Sequence, residues 1–459
     1  MNPPENQNAD VTRRNFLKGG SFATLMAMMG GVELIAQTPP APEADGPKKI
    51  KLPKVKVAVI GLGPWGREIL DQLGRLEQAD IVAICDHYAA MLKRSATKAP
   101  KAAPVEDYRA VLANRDVQAV IVATGTHQHK EIVLAALAAG KHVYCEAPLA
   151  HSVADAQAIA RAARSALGRV FQAGLQLRSD PQRHFLLPFI RSGALGKTVR
   201  AQAQWNKKTS WRFPSPNPER EQAINWRLRQ ETSSGLLGEV GIHALEQAAW
   251  LLNLQPEAVS GFQSTQLWKD DGRDVADTVE VTIECGGGVR IGYRASLANS
   301  HEAEHELLLG SDGTILLRDG KAWMFKEVDS PLLGWELYAR KENFYNETGI
   351  VLAAGSSKQV VNAEKAAEDA PNALPPLYYA LEAFLGNCAE IGAAVEDFTA
   401  TFGAKADPKA LADSLASIEL RKSASWKEGL FATVLALTAN EAVRTGKRIA
   451  LKPEMFELA

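Results

Sequence analysis

Between residues 55 and 86 the sequence leaves the backbone little choice. Val55-Lys56-Val57-Ala58-Val59-Ile60 is a β-branched run that leads straight into Gly61-Leu62-Gly63-Pro64-Trp65-Gly66, and a helical pattern follows from Arg67 to Leu76. Strand, glycine turn and helix in that order form a phosphate-binding unit. Gly61 permits the tight turn, Gly63 lets the backbone approach a pyrophosphate, and Gly66 lets the helix pack closely on the strand. The helix N-terminus then faces the anion. A GxGxxG pattern alone is a weak signal. It gains weight here because a second apolar run, Ile81 to Cys85, ends in Asp86, twenty residues after Gly66. A carboxylate at that place accepts hydrogen bonds from the adenosine ribose hydroxyls and would repel a 2′-phosphate, which favours NAD over NADP.

The alternation continues. A helix is expected around Asp107 to Leu112, a strand over Ala119 to Ala123, a helix from Lys130 to Ala139, and strands over His142 to Cys145 and Arg169 to Gly174. Strands that trade places with helices make a parallel, doubly wound sheet of α/β class, so residues 54–174 are read as a Rossmann domain. Thr124 follows a strand at its carboxyl end, the edge where such sheets bind ligands. At 459 residues the chain is too long for one core, and residues 175–459 are left for a second domain.

Before the first strand lies an address. Thr12-Arg13-Arg14-Asn15-Phe16-Leu17-Lys18 precedes a mildly apolar stretch from Ser21 to Ile35, the order of a twin-arginine signal. Residues 1–36 are therefore expected to direct the folded chain through the twin-arginine export machinery to the periplasm, with 37–53 as a Pro- and Ala-rich linker. A protein exported folded can carry its cofactor with it, so the cofactor is expected to stay bound and be regenerated within each turnover. Charge points elsewhere than nucleic acid: 52 basic and 53 acidic side chains give a net charge of −1. Cys85, Cys145, Cys285 and Cys388 are scattered without ligand spacing, so neither a metal site nor a disulfide framework is expected.

Several further segments make the chain resemble the Gfo/Idh/MocA family, named for glucose-fructose oxidoreductase, inositol dehydrogenase and rhizopine catabolism proteins. The likeness spans about Val55 to Leu451. It rests on the glycine turn, on Thr124 to His129, on Gly140-Lys141-His142-Val143-Tyr144-Cys145-Glu146-Ala147-Pro148, and on Gly238-Glu239-Val240-Gly241-Ile242-His243. The resemblance implies a C-terminal α+β domain with a large, mostly antiparallel open sheet, and the runs Val279 to Glu284, Val289 to Ala295 and Glu306 to Leu317 supply such strands. It also implies pairing of subunits through that open sheet, as a dimer or tetramer.

By the same resemblance, a lysine inside Glu-Lys-Pro holds the reacting hydroxyl and shuttles its proton. Here the segment is Glu146-Ala147-Pro148, and a methyl group moves no proton. The family's later aspartate is replaced by Glu239, while His243 remains. Three readings stay open. In the first, His243, a near-neutral imidazole, transfers the proton with Glu239 or a nearby tyrosine, and the protein oxidises a sugar hydroxyl. In the second, it is an NAD-dependent glycosidase that oxidises C3 transiently, eliminates the glycosidic group, adds water and returns the hydride. In the third, the protein only binds a sugar.

The cofactor-binding candidates are thus Gly61, Gly63, Pro64, Trp65, Gly66, Asp86, Thr124, His129 and Glu146, and the catalytic candidates are His243 and Glu239. Arg178, Trp205, Trp226 and Arg227 are the candidate sugar contacts, since aromatic faces between polar residues suit pyranose rings. His127 is expected to be solvated, and residues 393–425 form an insertion with no usable periodicity.

Overall fold

The computed structural model describes residues 53–332, 336, 341–344, 347–352, 374–403 and 407–458. The expected export signal, all of the linker but Pro53, and residues 353–373 lie outside the described residues. Six strands form the first sheet: β1 (Val55–Ile60), β2 (Ala79–Cys85), β3 (Ala103–Val105), β4 (Ala119–Val122), β5 (His142–Cys145) and β6 (Phe171–Ala173). They lie in the order β3-β2-β1-β4-β5-β6, all parallel. The order reverses between β1 and β4, so a crevice opens at their carboxyl ends. β3 has no counterpart in the sequence reading, because its three residues are too few and too exposed to show a period.

Helices cover both faces of this sheet. On one, α1 (Pro64–Leu73) packs with a later helix, α6, whose Leu381, Phe384 and Leu385 meet Ile69 and Leu70 in one buried cluster. On the other lie α2 (His129–Ala138) and α3 (Val153–Ser165), joined by a helix from the far end of the chain, α8. A fully covered parallel sheet explains why its strands read as continuous apolar runs.

The chain leaves β6 through α4 (Pro181–Phe189) and builds a second sheet of ten strands. Its centre holds β7 (Thr198–Asn206), β8 (Pro256–Ser264), β9 (Thr278–Cys285), β10 (Arg290–Ser296), β11 (Glu304–Gly310), β12 (Gly313–Arg318) and β13 (Lys321–Lys326). β14 (Lys341–Phe344) and β15 (Glu347–Val351) extend one end, and β16 (Ile449–Ala450) the other. The β7–β10 pair is parallel and the remaining pairs are antiparallel. In β9 inward Val279, Val281 and Ile283 alternate with outward residues, and they share one buried cluster with α5 (Ile242–Leu252).

The insertion in the C-terminal part was illegible as helix in the sequence. Helix α6 (Pro376–Phe402) runs on into the 393–425 insertion, and α7 (Pro408–Ala416) follows, so the insertion is largely helical. Its exposed faces hide the helical period. Helix α8 (Trp426–Thr445) begins in a capping box, where Ser425 N donates to Glu428 Oε2 at 2.7 Å and Lys427 N to Ser425 Oγ. It contributes Leu430 and Val434 to the first domain's core and Leu435 and Ala439 to the second's. Burying four such side chains stabilises the junction by roughly 1.5–3 kcal/mol per large residue. Gly429 lets it come close, since a Cβ there would lie 2.8 Å from Ala173 Cβ.

Candidate functional site

At the crevice the glycines do what their sequence spacing implies. Gly61 has φ +95°, and a Cβ there would lie 2.6 Å from Ala123 O. A Cβ on Gly66 would overlap Gly61 O outright. Gly63, in contrast, has no atom within 4 Å of where its Cβ would be, so its backbone faces open space. Pro64 opens α1 and fixes its first turn, and the Gly63 cap offers no side chain to the helix end. The α1 N–H groups therefore remain available to an anion.

Asp86 does more than expected. Its Oδ2 accepts from Leu62 N and its Oδ1 from Tyr88 N, each at 2.9 Å. The carboxylate braces the glycine turn, and each oxygen keeps a second lone pair for a ribose hydroxyl. Two buried polar atoms at the strand ends have no hydrogen-bond partner among the described residues: Thr124 Oγ1 after β4 and Glu146 Oε1 after β5. An open backbone cradle with orphaned polar atoms beside it fits a dinucleotide.

Glu146 is 8% exposed, and burial raises its carboxyl to about 7, against the opposing pull of the Trp65 indole and the Ala147 amide. Its Oε2 lies so near Gly174 that a Cβ there would sit 2.6 Å away. Trp65 itself is largely exposed at the mouth of the cradle.

His129 corrects the sequence reading. It is 1% exposed, with Nδ1 at 3.0 Å from Pro148 O and Nε2 at 3.2 Å from Thr124 O. Both ring nitrogens face main-chain carbonyls, and since burial keeps the ring neutral its single N–H donates to one of them, so His129 fills the gap between the 124–126 turn and the Glu146-Ala147-Pro148 segment and leaves no exposed edge for a cofactor.

The second domain closes the crevice. Glu239 lies on a wide helical turn (Leu237–Gly241) that runs into α5, and its carboxylate is almost wholly enclosed. It accepts from Thr126 Oγ1 at 3.2 Å, Ser234 Oγ at 2.7 Å, Ser234 N at 3.1 Å and Ser233 Oγ at 3.4 Å, and pairs with Arg227 Nε at 3.4 Å. Thr126 belongs to the first domain, 113 residues away. A carboxylate this fully engaged holds its neighbours in place. One helical turn on, His243 is half-buried and has no protein hydrogen bond among the described residues. Burial lowers it to about 4, so the near-neutral imidazole expected from sequence is not what the fold builds.

Above this pair lies an aromatic wall. The Arg227 guanidinium sits 4.7 Å from the Trp226 ring and 5.8 Å from that of Trp211, a residue held at φ 62°. His127, expected in solvent, packs 6.0 Å from Trp226 with its Nδ1 buried and unpaired. A Cβ on Gly125 would strike both rings, so they cover the β4 strand end. Asn225 pins the facing loop, its Oδ1 accepting from Phe213 N and its Nδ2 donating to Phe213 O.

The other two expected sugar contacts lie elsewhere. Arg178 is bound to Glu246 and stacks 4.3 Å from Trp250, and Trp205 packs against the core of the second sheet. His127, Thr126, Ser233 and Ser234 were missed. Ser-Ser-Gly a few residues before a glutamate is a local signal of side chains placed to cap it; His127 left none.

Residues 55–174 match the family described as the oxidoreductase family with an NAD-binding Rossmann fold, and residues 188–316 match the GFO/IDH/MocA C-terminal domain. The chain is 29% identical over 202 residues to inositol 2-dehydrogenase of Salmonella typhimurium, covering 43% of this chain and 55% of that protein. It is 26% identical over 221 residues to a glycosyl hydrolase family 109 protein of Shewanella baltica, covering 44% and 48%. The chain thus spans about half the length of these relatives. Its fold is shared with an oxidoreductase domain protein from Kribbella flavida, at TM-score 0.66, 19% identity and coverage of 87% and 100%. An aldose-aldose oxidoreductase from Caulobacter crescentus gives TM-score 0.61 at 20% identity, with the same coverage.

Proposed function

Since this chain belongs to the Gfo/Idh/MocA family, we propose that it is an exported sugar oxidoreductase whose NAD stays in the β1–α1 cradle and is recycled within each turnover. The observation that carries the reading is the Thr126–Glu239 hydrogen bond at 3.2 Å, which brings the cradle's strand edge against the helix bearing His243. NAD supplies the hydride acceptor and donor. Gly61, Gly63, Gly66 and the α1 N-terminus would hold its pyrophosphate, Asp86 its ribose, and Thr124 would line its nicotinamide side.

Arg227 and Trp226 orient the sugar, and Glu239 fixes Arg227. Without a lysine at Ala147, two groups share the proton work. Neutral His243 holds the reacting hydroxyl by a hydrogen bond, and Glu146, poised near 7, takes its proton at Oε1 and gives it back. The open face of the second sheet, carrying the exposed Phe262, pairs two copies.

The family 109 relative and the missing lysine favour a second reading, in which the same oxidation begins a glycosidic elimination. Washed protein incubated with aldoses and with aryl glycosides, without added NAD, tests both. Conversion of one aldose at the expense of another supports the oxidoreductase. Release of the aryl alcohol with deuterium exchange at C2 supports the glycosidase. A strict need for one soluble NAD per product overturns the closed cycle.

A further inference from the structure

Resting on the carbohydrate reading above, we propose that the protein holds a second, free sugar in a cavity at the junction of its two domains, separate from the catalytic crevice. The cavity measures about 370 Å³ and is enclosed by the start of α3, the 230–235 loop, β8 and the last turns of α8. Of the polar side chains that line it, His151, Gln263, Thr438 and Asn440 have no protein hydrogen bond among the described residues, whereas Ser152, Gln230, Ser233 and Ser234 are already engaged. Thr438 is only 3% exposed.

Imidazole, carboxamide and hydroxyl groups both donate and accept, which is what a ring of hydroxyls requires. Val153, Val275 and Leu437 supply an apolar surface for the C–H face of the ring. The two charges present, Glu441 and Arg444, are exposed and opposite in sign. That balance fits a neutral polyhydroxylated molecule, and disfavours an anion. The dimensions agree with small-ligand pockets, which begin at about 300 Å³.

The wall between this cavity and the crevice is Ser233-Ser234-Gly235. On its far side both serines hold Glu239. On its near side Asn440 presses on Gly235, where φ is +67° and a Cβ would sit 2.5 Å from Asn440 Oδ1. Ser233 Oγ links the two sides, accepting from Gly235 N at 3.1 Å and donating to Glu239 Oε1 at 3.4 Å. A sugar that hydrogen-bonds Asn440 therefore bears on the loop that positions Glu239, and by linkage a sugar in the crevice alters affinity in the cavity.

Equilibrium dialysis of the full chain as purified, with labelled D-glucose, N-acetyl-D-glucosamine and myo-inositol in turn, counts the sites. Two sugars per chain are expected for at least one probe. Gln263→Ala/Thr438→Val should weaken one site roughly tenfold and spare the other, while Arg227→Ala weakens only the other. The inference is overturned by one site per chain that Arg227→Ala removes and the double variant keeps; the functional reading survives that result. It also falls if no probe binds at all, and the functional reading then falls with it. A double variant with wild-type melting and wild-type NAD content shows that its lost site is not lost folding.

Discussion

The cofactor cradle and the catalytic cluster face each other across a few residues, yet they are built in opposite ways. The cradle comes from one stretch, residues 55–86, and its strength lies in atoms that are missing: Gly61, Gly63 and Gly66 work because nothing projects from them. The cluster around Glu239 draws on Thr126, Arg227, Ser233 and Ser234, and its strength lies in hydrogen bonds that converge on one buried carboxylate. A site defined by empty space is intolerant of added atoms. A site defined by satisfied donors is intolerant of losing the acceptor.

The sharpest break of that contrast is in the cradle. Gly66→Ala pushes a Cβ into the Gly61 carbonyl, a backbone atom that cannot move without opening the turn. The variant should lose its NAD and about 3 kcal/mol or more of stability, read by cofactor content and urea unfolding. Wild-type melting with full NAD content would mean the turn is not rigid.

Next is Glu239→Ala. It strands Ser234 N and leaves Arg227 unpaired, so a loss of about 2–4 kcal/mol is expected, with turnover abolished and NAD retained. Loss of NAD along with turnover would show that the two regions are one unit.

Glu146→Gln sits on the border between them and should act in the other direction on stability. Its carboxyl is raised to about 7 in the fold and titrates near 4.5 when unfolded, so the folded state holds a proton that the unfolded state has released. Wild-type stability thus falls as pH rises from 4.5 through 7, and the amide removes that loss. The variant should gain up to about 3 kcal/mol over wild type at pH 8 and little at pH 4, while losing turnover. An unchanged difference across that range would put Glu146 outside the buried, near-neutral class.

The smallest effect is at His243. Burial lowers it to about 4 from 6.5, so the unfolded chain takes up a proton first as pH falls through that window, and stability drops. His243→Ala should remove about 1 kcal/mol of this acid sensitivity at pH 5, a figure discounted because water reaches the half-buried ring. Turnover should vanish.

The same contrast explains what could be read from residues alone. The turn from Val55 to Gly66 and the acid at Asp86 were legible because strand, glycine and helix propensities act over a few neighbours. The second sheet was legible in part, since Val279, Val281 and Ile283 alternate with polar residues. Of the cluster, Glu239 and Arg227 were named, but their assembly with Thr126, Ser233 and Ser234 was not, because its central bond spans 113 residues and no local pattern records it. Asp86 was assigned to a ribose, and its brace to Leu62 N escaped notice for a similar reason: a carboxylate has more acceptor sites than a motif names. His127 looked solvated because polar loop residues usually are; only the packing of Trp226 over Gly125 buries it.

The central claim is that the cradle keeps an adenine dinucleotide through purification. Acid-denatured, extensively washed protein should release close to one NAD per chain, measured by chromatography of the extract. An extract with no adenine dinucleotide, from protein that also gives no heat on titration with NAD, would contradict the account.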